Sequence, residues 1–282
     1  MDWSHLGLAR RPFWPAVDTG SYFPAASHEA ALAGVAAAFA RREAAALIHG
    51  EPGLGKSLLA RLWLERLPET TPRVVLANLQ ANRAADLLQA ILFDLNLPYL
   101  GLGEQELRLA VTEQLLSHAA QDSPLVLVVD EAQNLGPAAL EELRLLGNIE
   151  SHGGAALFTL LASQSPLSGN HGFTQRLGAE CELESLTLEE SAAYLSHQVK
   201  HAGGDLYELF DGEAVTLLTG SCRGVPRLLN RAATLAAELA LQGESETIDV
   251  EAAMEAVGRL GLDEPEPDTL SMKPRKRTRK AA

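Results

Sequence analysis

The chain has 282 residues, 46% of them hydrophobic and 21% charged, with a formal net charge of −14. That balance is globular, long enough for one large domain and a smaller one. The longest uncharged apolar run, "AALAGVAAAFA", stops after eleven residues, about half of what a spanning helix needs, so a membrane helix is excluded.

In chain order, the N-terminal "MDWSHLGLARRPFW" holds no secretory apolar run. With Cys181 and Cys222 far apart and outside any metal-type spacing, the expectation is a cytoplasmic protein with reduced thiols. Five strands are predicted: Ala44–His49, Arg73–Leu79, Pro124–Asp130, Ala155–Ala162 and Glu180–Leu186. Their runs are continuously apolar rather than alternating, which points to burial on both faces in a parallel sheet. Between them, "RAADLLQAILFDL" and "PAALEELRLLGNI" repeat apolar residues at helical spacing, so the fold class is α/β with helices covering the sheet.

After Leu186 strands give way to helices. Thr187 and Glu190 form a capping-box pair, and helical patterns follow over 187–204, 213–218, 225–241 and 250–260. The expected division is a core over 1–186, a small helical module over 187–262, and an acidic linker with a disordered basic tail over 263–282. The tail "KPRKRTRK" sets six basic residues against no acid, leaving −20 on the rest of the chain. An acidic body speaks against phosphate-backbone binding by the folded core. The tail is either a polyanion-seeking element or a solubilising end.

One segment carries chemistry by itself. "GEPGLGKS" places Gly50, Glu51, Pro52, Gly53, Leu54, Gly55, Lys56 and Ser57 between a buried strand and the helix that opens with Ser57 and Leu58. The plain reading is a turn with a helix cap. The functional reading is a phosphate cradle, in which glycines let successive N–H groups converge and the helix start adds partial positive charge. Lys56 would reach the β- and γ-phosphates of ATP, and the Ser57 hydroxyl would ligate Mg²⁺. Downstream, "LVLVVDEAQNL" ends a buried strand in Asp130 and Glu131. Asp130 would serve the Mg²⁺ shell beside Ser57, and Glu131 would polarise the attacking water.

Taken in order, "GEPGLGKS", "VVDEAQNL", "LEELRLLGNIES", "LLASQSPL", "TQRL" and "GVPRLLNR" resemble AAA+ ATPases of the general secretion pathway protein A family. The opening "RPFWPAVDTGSYFPAASHEAAL" extends the resemblance to about residues 6–260. It implies a P-loop core with a helical lid, ATP hydrolysis, a ring or filament of like subunits, and a secretion- or pilus-related partner. Related ATPases serve as transposition helpers, which leaves a DNA-associated role as the alternative, and a non-hydrolysing ATP switch as another. By position, Gln164 matches the sensor of the γ-phosphate, with Ser163 as its fallback. Arg227 matches the second sensor on the lid, or is a helix-start arginine. Arg176 is the candidate arginine finger, or a surface salt bridge. Tyr22, Phe23 and His28 match the segment beside the adenine ring, or staple the N-terminus. The family's "LLAGQPEL" is "LLASQSPL" here, and the membrane span of its better-known secretion members is not expected.

Other features read as structural. His197 and His201, one helical turn apart, lack supporting metal ligands; Trp3 and Trp14 read as packing residues; Glu141 and Glu142 read as a solvated helix face.

Overall fold

The computed structural model describes residues 3–14, 17–151, 153–167 and 171–262. The linker and basic tail predicted over 263–282 lie outside the described residues. Two compact units form: Val17–Glu184, and a second made of residues 3–14 with 185–262.

The first unit runs α1 (Ala26–Ala40), β1 (Ala45–His49), α2 (Lys56–Glu65), β2 (Arg73–Leu76), α3 (Ala84–Asp94), α4 (Glu104–Ala119), β3 (Leu125–Val129) and α5 (Pro137–Leu146). A two-residue ladder, β4 (Glu150–Ser151) with β5 (Gly154–Ala155), precedes β6 (Leu157–Ser163), α6 (His171–Thr174) and β7 (Leu177–Glu182). Five strands make one parallel sheet in the order β2-β3-β6-β1-β7. The three central strands, β1, β3 and β6, are buried at every position, as their unbroken apolar runs require. Because all strands run the same way, the loops after β1, β3 and β6 leave from one sheet edge, where α/β proteins bind ligands.

The edge strands depart from expectation for local reasons. β2 ends at Leu76 rather than Leu79, with Asn78 turned to a left-handed φ of 56°. Its unpaired edge is tempered by Asp94, which accepts the Val75 N–H at 3.2 Å. β7 occupies Leu177–Glu182 rather than Glu180–Leu186 because it pairs from the start of β1; Ala45 faces Leu177 and Ala46 faces Ala179, leaving Gly178 as the extra residue of a bulge. Any side chain at Gly178 would collide with that of Glu43.

Glu142 corrects the expectation of a solvated face on α5. It is 2% exposed and receives Arg108 Nε and Nη2 from α4, both at 2.7 Å. Glu141 does stay exposed, paired with Arg144.

The second unit is helical: α7 (Leu188–His201), α8 (Leu206–Leu209), α9 (Gly212–Ser221), α10 (Pro226–Gln242) and α11 (Val250–Arg259). The predicted capping box at α7 is formed, Thr187 Oγ1 accepting from Glu190 N and Thr187 N donating to Glu190 Oε2, each at 3.0 Å. Sequence order groups residues 3–14 with the sheet; their contacts lie with the helices instead. The last carbonyls of α7 need donors, and Arg10 supplies His201 O while Ala9 N–H supplies Ala202 O. Phe13 meets Phe210 edge-on at 6.2 Å. Trp14 stays 53% exposed beside Arg11, and the rings of His197 and His201 stack at 6.5 Å. Gly224 has φ 73°, and a Cβ there would lie 2.0 Å from Leu186 O, so only glycine fits. No helix among the described residues is long and apolar enough to cross a membrane.

Candidate functional site

β1 delivers the chain to Gly50 at the sheet edge, and α2 begins at Lys56. The intervening loop turns on glycines: Gly55, the N-cap of α2, has φ 101°, a conformation that costs a side chain dearly. At Gly50 a Cβ would lie 2.8 Å from Leu183 O. Glu51 and Pro52 are exposed, Gly53, Ser57 and Leu58 half-buried, and Leu54 anchors the loop at 1% exposure. Lys56 is buried and folds back, its Nζ donating to Gly50 O at 2.7 Å and Glu51 O at 2.9 Å. The loop thus presents a cation and the N-terminus of a ten-residue helix at one place.

His28, in the first turn of α1, braces this loop from the side. Its Nε2 lies 2.7 Å from Leu54 O. A carbonyl only accepts, so that nitrogen carries the proton. Nearby, the Tyr22 hydroxyl donates to Glu29 Oε1 at 2.7 Å. Burial and that bond push the phenol above its ordinary pKa.

The acidic doublet arrives from β3. Ser57 Oγ donates to Asp130 Oδ2 at 2.6 Å, joining positions 73 residues apart. Asp130 Oδ1 accepts the Glu131 N–H at 3.0 Å. Glu131 sits in a left-handed conformation, φ 55° and ψ 43°, as the chain enters the 3-10 turn Ala132–Asn134. Its Oε2 accepts from Gln133 Nε2 and, at 3.1 Å, from Gln164 Nε2. Gln164 directly follows β6, the strand between β1 and β3, and its backbone N–H donates to Gln133 Oε1 at 3.1 Å. Ser163, by contrast, is fully buried at the end of β6. Gln133 has no role in the sequence reading, although it lies inside the quoted "DEAQNL".

Two further predicted residues lie on other elements. Arg176, between α6 and β7, exposes its side chain with no ion-pair partner among the described residues. Arg227 is exposed in the first turn of α10, in the helical unit.

Two comparisons bear on this arrangement. Residues 40–168 match a family model described as an AAA domain. General secretion pathway protein A of Aeromonas hydrophila is 30% identical over 232 residues, covering 80% of this chain and 42% of the relative. The chain is similar to AAA+ ATPases in fold and in the order of its motifs. The resemblance read from its motifs therefore holds, and with it the P-loop fold. A Holliday junction branch migration complex subunit RuvB, from Leifsonia xyli subsp. xyli, is also 30% identical, over 77% of this chain and 58% of the relative. The chain thus spans less than two thirds of either of these relatives. The crystal structure of Cdc6p from Pyrobaculum aerophilum shares the fold, with a TM-score of 0.68 at 17% identity, over 92% of this chain and 71% of that one.

Proposed function

We propose that the protein binds Mg·ATP at the β1–α2 loop and hydrolyses it. The observation that carries this reading is the 2.6 Å bond from Ser57 to Asp130. It brings the hydroxyl and the carboxylate that would share a divalent cation within reach of Lys56. An oxygen-rich pair beside a helix N-terminus fits Mg²⁺, a hard cation that prefers such donors and keeps waters of its own. When bound, Mg²⁺ supplies charge neutralisation to the phosphate oxygens.

The chain's own groups do the rest. Lys56 exchanges its bonds to Gly50 O and Glu51 O for phosphate oxygens, so its charge meets the ligand without leaving the loop. Loop N–H groups of residues 50–57 hold the phosphates, and Leu58 continues the helix behind them. Glu131 accepts a proton from, or aligns, the water that attacks the γ-phosphate. Gln164 offers its amide to the γ-phosphate. Tyr22, Phe23 and His28 border the adenine. Arg227 reaches the nucleotide from the helical lid, residues 187–262, and Arg176 completes a neighbouring subunit's site in a homo-oligomeric ring or filament. Hydrolysis then drives lid and interface motion for a secretion- or pilus-related protein partner in the cytoplasm.

The test is steady-state phosphate release with ATP-binding calorimetry. Lys56→Ala is expected to abolish binding, and Glu131→Gln to keep binding and stop turnover. Equal turnover in wild type and Glu131→Gln removes the catalytic assignment. Binding without any turnover leaves the nucleotide-switch reading. The similarity to RuvB favours a second role, a DNA-associated helper. Duplex binding that weakens steeply with salt and vanishes when residues 273–280 are removed would support it.

A further inference from the structure

The turn after β3 holds one side chain that the reaction above does not use. Gln133 is gripped from two sides by groups of opposite demand. The Glu131 carboxylate only accepts, and it takes the Gln133 side-chain N–H. The Gln164 backbone N–H only donates, and it lands on Gln133 Oε1 at 3.1 Å. A residue here must therefore donate and accept through one planar group. Glutamate lacks the donor, lysine lacks the acceptor, and leucine lacks both.

The backbone explains why such a grip matters. Glu131 is a non-glycine residue at φ 55°, at the mouth of a 3-10 turn only three residues long. A regular helix or strand would aim a side chain through its own hydrogen-bond ladder; this position lies off both. The Glu131 carboxylate is aimed by what holds it, and the bond from Gln164 Nε2 closes a triangle of Glu131, Gln133 and Gln164.

We propose that Gln133 is a positioning residue for ATP hydrolysis. It pins the Glu131 carboxylate to the end of β6, so the group that aligns the attacking water keeps a fixed spacing from the group that meets the γ-phosphate. The proposal rests on the ATPase reading above. Misplacing a reacting group by about 1 Å can cost a rate factor of about 10². The effect belongs in kcat, because the phosphate-binding loop is untouched.

The experiment compares Gln133→Leu and Gln133→Glu with wild type in kcat, in ATP dissociation constant and in melting temperature. Both variants are expected to lose about tenfold or more in kcat while ATP affinity stays within about twofold, the signature of an interaction made in the transition state. Gln133→Glu keeps the size and polarity of the side chain, so it reports even where Gln133→Leu fails to fold. An active wild type with both variants within about threefold of its kcat overturns the positioning role alone. So does a loss of affinity that matches the loss of rate. A wild type no faster than Lys56→Ala overturns the ATPase reading, and the role of Gln133 with it.

Discussion

Removing Arg108 should unsettle the sheet unit more than any other single surface-reaching change. Glu142 is 2% exposed and takes two 2.7 Å bonds from the Arg108 guanidinium, which also reaches Glu104 at 3.1 Å and Gln105 at 3.1 Å. Arg108→Met leaves a buried carboxylate without its cation, and breaking a buried pair costs about 3–5 kcal/mol. Arg108 itself keeps 30% of its side-chain surface, so water entering from that side puts the cost near the lower end, about 3 kcal/mol. Glu142→Leu leaves a half-solvated guanidinium still beside Glu104, a cost of about 1–2 kcal/mol. Making both changes removes charge and partner together and should fall within about 1 kcal/mol of wild type. The cycle therefore predicts a coupling of about 3 kcal/mol or more. Urea titration reports it at Trp63, which is buried against Phe39 and Phe158, in a background with Trp3 and Trp14 replaced by Phe. Single changes that simply add, with coupling under about 0.5 kcal/mol, would refute the reasoning.

Three further outcomes can be measured. Gly224→Ala puts a methyl carbon 2.0 Å from Leu186 O at a left-handed φ; it should destabilise the helical unit by about 3 kcal/mol or more, read as a lowered melting temperature. Cys222 is buried and its thiol is pushed up to about 12. The unfolded chain then sheds that proton first, so stability contributed by Cys222 is intact below about 9 and declines by at most about 1.4 kcal/mol per pH unit as pH rises toward the folded value. Denaturation midpoints of wild type should fall faster with pH over that window than those of Cys222→Ala; parallel curves would contradict it. Arg176→Ala should cut turnover of the assembled protein by a factor of about 10³ while leaving ATP binding to the monomer intact; unchanged specific activity dismisses the finger.

Much of the core is legible in the sequence, because β1, β3 and β6 are buried throughout and leave unbroken apolar runs. The loop at 50–57 was readable because its glycine spacing is demanded by backbone geometry. Edges were harder. β7 is half-buried over Leu177–Ala179 and partly exposed beyond, and its start is set by pairing with Ala45 rather than by its own pattern. Glu142 was misread because its partner lies 34 residues away on α4. The spacing of Ala139, Glu142 and Leu146 does follow the buried stripe of α5, a local signal for the burial. Gln133 sits within a recognised motif, yet its importance depends on Gln164, 31 residues on. The placement of residues 3–14 came from backbone donors meeting the end of α7, which leaves no trace in hydrophobic periodicity.

That last placement has a consequence for how the molecule is made. Residues 17–184 emerge from the ribosome with every strand of their sheet present, and can close their own core. Residues 3–14, though synthesised before the helices, must wait for α7 and α10 before Arg10, Phe13 and Leu8 find their neighbours. Birth order and assembly order are therefore reversed for the helical half. Trimming residues 3–14 would spare the sheet unit while leaving the later-born helices without their clasp.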